Sequence, residues 1–173
     1  ERFIYAPNEE LKFIQKKLNA KLCSVIEEYK TKNNIKSNIS HGFEKGKGIF
    51  TNASVHRKKK YILTVDIKDF FNEFKFVRVK GFFEKSRMFN FSTEEAMLIA
   101  QLVCFKGSLP QGAPTSPVVA NLIFNIVDMR IINLARKYKL NYSRYADDLT
   151  FSTNYESFKS KSDDFMKELS LLV

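Results

Sequence analysis

Between residues 9 and 30, Leu11, Ile14, Leu18, Leu22, Val25 and Tyr29 recur at steps of three and four, the spacing that lines one face of a helix. Asn8 is the predicted N-cap, and Glu9 and Glu10 follow in the first turn, where acids favour the helix dipole. Lys12, Lys16, Lys17 and Lys21 lie off the apolar stripe, on a face that is either solvated or turned towards phosphate. Residues 31–48 lose the periodicity and read as loop, with Gly42, Gly46 and Gly48 set among lysines. Glycines of that kind let backbone approach a phosphate, but the Gly-Lys-Ser/Thr ending of a nucleotide-binding Walker loop is absent.

A basic run at residues 57–60 leads into Tyr61-Ile62-Leu63-Thr64-Val65-Asp66-Ile67, a β-branched, apolar stretch of buried-strand length with one carboxylate. A carboxylate so close to a buried strand is unfavourable unless something pairs with it, and at a strand end it can meet a metal. Residues 68–72 turn away. Ser92-Thr93-Glu94-Glu95 is a capping box opening a helix through Met97, Ala100 and Cys104, with Gly107 as its predicted stop. Residues 109–117 hold three prolines and a glycine and exclude regular structure; Ser116-Pro117 then reads as an N-cap followed by a first-turn proline. A long helix carries Val118, Leu122, Ile126 and Val127 towards Leu134. Two short runs rich in Tyr, Thr and Phe, residues 141–145 and 149–152, flank Asp147-Asp148 and predict a hairpin with the two acids at its tip. Phe158, Phe165, Leu169 and Leu172 give a weaker helical pattern near the end.

Composition narrows the class. The chain has 173 residues, is 44% hydrophobic and carries 17 Phe, which fits one ordinary domain with its own core and excludes a disordered tail. No run was expected to reach the roughly 20 apolar residues of a membrane span. The start, Glu1-Arg2-Phe3-Ile4-Tyr5, is not a signal peptide and lacks an initiator Met, which suggests a fragment. Cys23 and Cys104 are far apart with no clustered ligands, so they read as small buried hydrophobes in a reduced, cytoplasmic compartment. The net charge is +10 and lopsided: residues 1–60 hold 14 Lys or Arg against 6 Asp or Glu, and residues 61–173 hold 15 against 13. Basic charge gathered in the first third is the footprint of a surface that neutralises phosphates.

Asp147 and Asp148 repel each other and call for a cation, and hard carboxylate oxygens suit Mg²⁺ or Mn²⁺ rather than zinc. A strand and a hairpin in one sheet can bring Asp66 to the same place. Three such carboxylates suit a site for two metal ions, which sit roughly 3.5–4 Å apart in phosphoryl-transfer enzymes.

The residues around these acids resemble a known family. Val65-Asp66-Ile67-Lys68-Asp69-Phe70-Phe71 is similar to motif A of reverse transcriptases, Leu109-Pro110-Gln111-Gly112-Ala113-Pro114-Thr115-Ser116-Pro117 to motif B, and Tyr145-Ala146-Asp147-Asp148 to motif C, in the family's order. Arg2-Phe3-Ile4-Tyr5-Ala6-Pro7 and the Asn-Ala-x-x-His element Asn52-Ala53-Ser54-Val55-His56 resemble the retron branch.

The resemblance implies an α/β (α+β) fold of polymerase fingers and palm, with an antiparallel palm sheet packed on helices. Fingers would occupy residues 1–60, the palm strand with motif A 61–71, connecting helices 72–108, and the palm with motifs B and C 109–173, ending before the thumb. It further implies RNA-directed DNA synthesis from dNTPs with two Mg²⁺, Mn²⁺ being an alternative. Asp66, Asp147 and Asp148 would be the catalytic metal ligands. Phe71 would exclude a ribose 2′-OH, Gln111 and Gly112 would border the nucleotide, and Arg2 would reach the triphosphate. Lys45, Lys47, Asn52 and His56 would contact RNA. Implied partners are a structured RNA template-primer, the DNA product and an effector protein, with a branched RNA–DNA product and a role against phage; no membrane is implied. A group II intron or other defence enzyme is the close alternative, and a non-catalytic RNA-binding scaffold the distant one. The chain stops about 25 residues after Asp148 and lacks the retron Val-Thr-Gly element, so this piece alone is expected to be poorly processive or inactive.

Overall fold

The computed structural model describes residues 4–35 and 38–173 and divides the chain into two units, Glu1–Lys36 with Asp69–Ile123, and Ser37–Lys68 with Phe124–Val173. It mixes helices with one small antiparallel sheet.

In the first unit, helix α1 (Glu9–Lys32) starts as its sequence dictates, Asn8 Oδ1 accepting from Leu11 N at 2.9 Å. Its predicted stripe is only partly covered. Leu22 is buried, Ile14 is exposed, and the other buried residue is Gln15, whose amide donates to the Leu102 carbonyl at 2.7 Å. A 3₁₀ turn (Phe70–Glu73) leads to α3 (Phe76–Lys85), which packs on α4 (Thr93–Val103). The α4 capping box forms: Ser92 Oγ accepts from Glu95 N, and Glu95 Oε2 accepts from Ser92 N at 2.8 Å. The helix ends before the predicted stop, Gly107 sitting instead in a turn at φ +83°. Phe70, Phe74, Val79, Phe83, Ala100 and Leu109 are buried here, and Phe82, Phe83, Phe89 and Phe91 meet edge, tilted and stacked.

Helix α5 (Ser116–Lys137) departs from expectation at its start. Ser116 is not the cap. Val119 N donates to the Thr115 carbonyl at 3.1 Å, which makes Thr115 the cap position, while Ser116 Oγ donates to the Pro110 carbonyl at 2.6 Å and closes the preceding loop. Its buried face also differs, running through Val119, Ile123, Val127, Ile131 and Leu134, with Ile126 exposed. By length and composition α5 is apolar enough to cross a membrane, contrary to the sequence reading; half of that window is buried within the protein, as in a core helix.

The second unit is built on the sheet, in the order β1-β3-β2, all antiparallel: β1 Tyr61–Asp66, β2 Asn141–Tyr145 and β3 Asp148–Thr153. The hairpin lies where the sequence placed it. Strand β1 is not the buried strand expected: it lies at the sheet edge, and half-buried and exposed positions alternate along it, as period-two side chains on a one-sided strand must. Tyr142 and Phe151 are cross-strand partners with rings 5.0 Å apart, and Phe165 of α6 (Ser162–Ser170) meets Phe151 at 4.8 Å. A short helix that the sequence reading missed, α2 (Ile49–Val55), packs on β2.

Both cysteines are free. Neither is fully buried as expected: Cys23 is exposed, and Cys104 is half-buried, its thiol pushed up to about 11 by burial.

Candidate active site

The sheet register decides where the acids go. Asp66 is the last residue of β1 and Asp148 the first of β3, and they are direct cross-strand partners. Tyr145 also pairs with Asp148, so Ala146 and Asp147 form a two-residue turn. Ala146 takes φ +56°, the left-handed region such tight turns need. The Asp147 carbonyl accepts from Ile67 N at 3.1 Å, tying the turn to the chain just past β1. Three carboxylates therefore share one end of one sheet.

The Asp148 carboxyl is raised above its usual range, by partial desolvation first and then by the charges of Asp147 and Asp66. Asp66 and Asp148 are exposed and Asp147 is half-buried. Among the described residues no three acidic, histidine or cysteine side chains converge closely enough to form a ready-made metal cage. That does not disqualify Mg²⁺, which is usually held by one or two carboxylates plus substrate phosphates and water rather than by an all-protein cage. Hard oxygen donors under mutual repulsion fit such an ion.

The turn is held from beneath. Arg144 and Asp128 are fully buried partners: Arg144 Nη2 donates to Asp128 Oδ2 at 2.8 Å and Nε to Oδ1 at 3.0 Å. Tyr142 Oη donates to Asp128 Oδ1 at 2.7 Å, and burial, then the Asp128 charge, push that phenol well above its usual value. The guanidinium lies 4.7 Å from the centre of the Phe124 ring. Its Nη1 donates to the Ala146 carbonyl at 2.8 Å. On another side is Gly42, where a Cβ would sit 2.5 Å from Ala146 N, a distance no side chain tolerates. The sequence reading missed this group, although an Asp in the middle of an apolar helix signals a buried partner.

Other predicted residues fall differently. His56 is buried, its Nδ1 2.7 Å from Ser152 Oγ and its Nε2 2.7 Å from Ser143 Oγ. Ser143 Oγ donates to Asn52 Oδ1 at 2.6 Å, so it must accept from His56 Nε2–H, and Nδ1 accepts from Ser152. The Asn-Ala-x-x-His element thus fastens α2 to both strands of the hairpin. The His56 ring is therefore inside the protein, and Asn52 Oδ1 is engaged by Ser143. Lys47 is likewise occupied, donating to the Ser40 carbonyl at 2.9 Å beside Glu44, whereas Lys45 is exposed.

Phe71, Gln111 and Gly112 belong to the first unit. Phe71 is half-buried, edge-on to Phe70 at 5.5 Å. The Gln111 carbonyl accepts from Tyr5 N at 2.8 Å, and Gly112 has φ +109°, where a Cβ would meet Ile4 Cγ2 at 2.6 Å. Arg2 lies outside the described residues.

Residues 2–170 match the family described as reverse transcriptase (RNA-dependent DNA polymerase). The chain belongs to the reverse transcriptase family. It is 36% identical over 165 residues to the retron Ec86 reverse transcriptase of Escherichia coli, covering 95% of this chain and 48% of that protein. It is 35% identical over 167 residues to the retron Mx162 reverse transcriptase of Myxococcus xanthus (88% and 33%), and 34% identical over 164 residues to the retron Ec73 enzyme of Escherichia coli (88% and 49%). The chain spans half or less of the length of these curated relatives.

Two pH responses follow. Burial holds His56 below its ordinary 6.5, so the unfolded chain takes up protons first on acidification. The stability this buried neutral ring contributes is complete above about pH 6.5 and falls as pH drops towards the folded value. His41, also lowered by burial, acts in the same sense. Thermal melts should show Tm falling below that pH, less steeply in His56→Asn. Asp148 has the opposite sign, its raised carboxyl making ionisation unfavourable in the fold. Asp148→Asn should raise Tm at pH 7 by a few degrees at most, with the gain shrinking as pH approaches the ordinary 3.8.

Proposed function

We propose that this chain carries the catalytic carboxylates of a retron-type RNA-directed DNA polymerase, which adds dNTPs to a primer on an RNA template. The supporting observation is the register that sets Asp66 opposite Asp148, with Asp147 on the adjoining turn, in a member of the reverse transcriptase family. Asp66, Asp147 and Asp148 would hold Mg²⁺, with Mn²⁺ as a substitute. When bound, the cations supply activation of the primer hydroxyl and neutralisation of the triphosphate.

The chain's own residues supply position and selectivity. The turn holds Asp147 beside two further carboxylates, so the charge needed for cations is assembled before substrate arrives. Phe71, five residues after Asp66 along the chain, would exclude a ribose 2′-OH, a role supported by the similarity of residues 65–71 to motif A. Gln111 and Gly112 would border the incoming nucleotide, a role supported by the similarity of residues 109–117 to motif B. Lys45 is the exposed lysine suited to a template phosphate, and Arg2 to the triphosphate. A structured RNA as template and primer, a branched RNA–DNA product, an effector protein, action against phage and a cytoplasmic location complete the proposal. Their support is the similarity to retron enzymes.

Primer extension on an RNA template by the full-length protein tests the core of this reading. Asp147→Ala should lower dNTP incorporation by about 10³-fold, the scale set by losing several kcal/mol of charge stabilisation. Equal incorporation by variant and wild type would refute the site. Phe71→Ala should let the enzyme incorporate rNTPs, and unchanged discrimination in competition assays would remove Phe71 from sugar selection.

A further inference from the structure

We propose that Arg144 is the positioning residue of the acidic turn, fixing the peptide that precedes Asp147 through its hydrogen bond to the Ala146 carbonyl. This rests on the reading of Asp66, Asp147 and Asp148 as the active site. Arg144 touches none of the reacting groups; it acts through the backbone.

The guanidinium is divided between two tasks. Nε and Nη2 grip Asp128, and Nη1 reaches the turn at 2.8 Å. The grip is rigid, because Asp128 stands on α5, accepts a second hydrogen bond from Tyr142, and the guanidinium lies against Phe124. The position of the Ala146 carbonyl is thereby referred to a helix and a strand, not to the loop itself. The turn needs such a hold: Ala146 is in the left-handed region, unfavourable for a residue with a Cβ, and the acids it carries repel. Stability alone does not account for the pair, since desolvation of two buried charges offsets most of their attraction and apolar residues of similar volume often serve as well. What apolar residues lack is the third arm.

Lysine cannot replace it. An ammonium is a point donor without the planar fork, and it cannot satisfy both Asp128 oxygens and the Ala146 carbonyl in this geometry. The direct reporter of the turn is the Ile67 amide, which donates to the Asp147 carbonyl.

The test uses the full-length protein with Arg144→Lys and, in case that variant folds poorly, the apolar pair Arg144→Met with Asp128→Leu. Amide hydrogen exchange at Ile67 should become about tenfold faster while the amides of β3 stay protected, since only the local opening is eased. In primer extension kcat should fall by about 10²-fold, as for a catalytic group displaced by an ångström, with KM for dNTP unchanged. Leu169→Ala, which empties a core position on α6, should lower Tm by at least as much without accelerating Ile67 exchange selectively. Unchanged Ile67 protection in both Arg144 variants overturns the proposal, as does a kcat loss no larger than that of Leu169→Ala. If the wild type extends no primer, the polymerase reading fails, and Ile67 exchange still decides whether Arg144 governs the turn.

Discussion

Three carboxylates at one end of a small sheet repel one another, and the pairing of the backbone brings them together. The register of β1 against β3 is therefore the constraint on which the site depends. Asp66 faces Asp148 because six consecutive residue pairs fix the alignment, from Tyr61 with Thr153 onward. A slip of one residue would turn every side chain of β1 to the other face and separate the acids. Side-chain packing guards the register of β2 on the other side of β3, where Tyr142 and Phe151 stack and Phe165 meets Phe151 edge-on.

On both faces of the sheet the protein uses polar chemistry where hydrocarbon would be simpler. Arg144, Asp128 and Tyr142 form one buried group, and His56, Ser143, Ser152 and Asn52 form another. The hydrogen bonds in these groups run between defined partners, and an apolar core would not specify direction in that way. The first group fixes the turn, and the second joins a short helix to both hairpin strands. A seven-residue helix has little stability of its own, and α2 takes it from these contacts.

What could be read in the sequence was what local chemistry decides. Asn8 and Ser92 announce helix starts because their side chains bond the first free amides, and both do so. The hairpin was legible from strand-favouring residues on either side of two acids, and motif order gave the family. Tertiary partners decide the rest. Helix α5 is apolar on several faces, at Val118 and Val119, Leu122 and Ile123, Ile126 and Val127, so periodicity could not choose the one that is buried. Strand β1 looks like an interior strand, and its edge position depends on which strand lies between it and β2. The Asn-Ala-x-x-His element could be matched to the retron enzymes, but its partners Ser143 and Ser152 are about 90 residues further along the chain.

The edge position of β1 has a consequence for how this polypeptide behaves in concentrated solution. Among the described residues, no strand pairs with its outer side, and Ile62 is exposed there. An open strand edge is a template for a second chain, and proteins protect such edges with charge. Four consecutive basic residues, 57–60, lead directly into β1. Two copies pairing in parallel along this edge would bring those runs close together, and the repulsion weakens as salt is added. The basic run that reads as an attraction for nucleic acid thus also opposes a parallel pairing of two such edges.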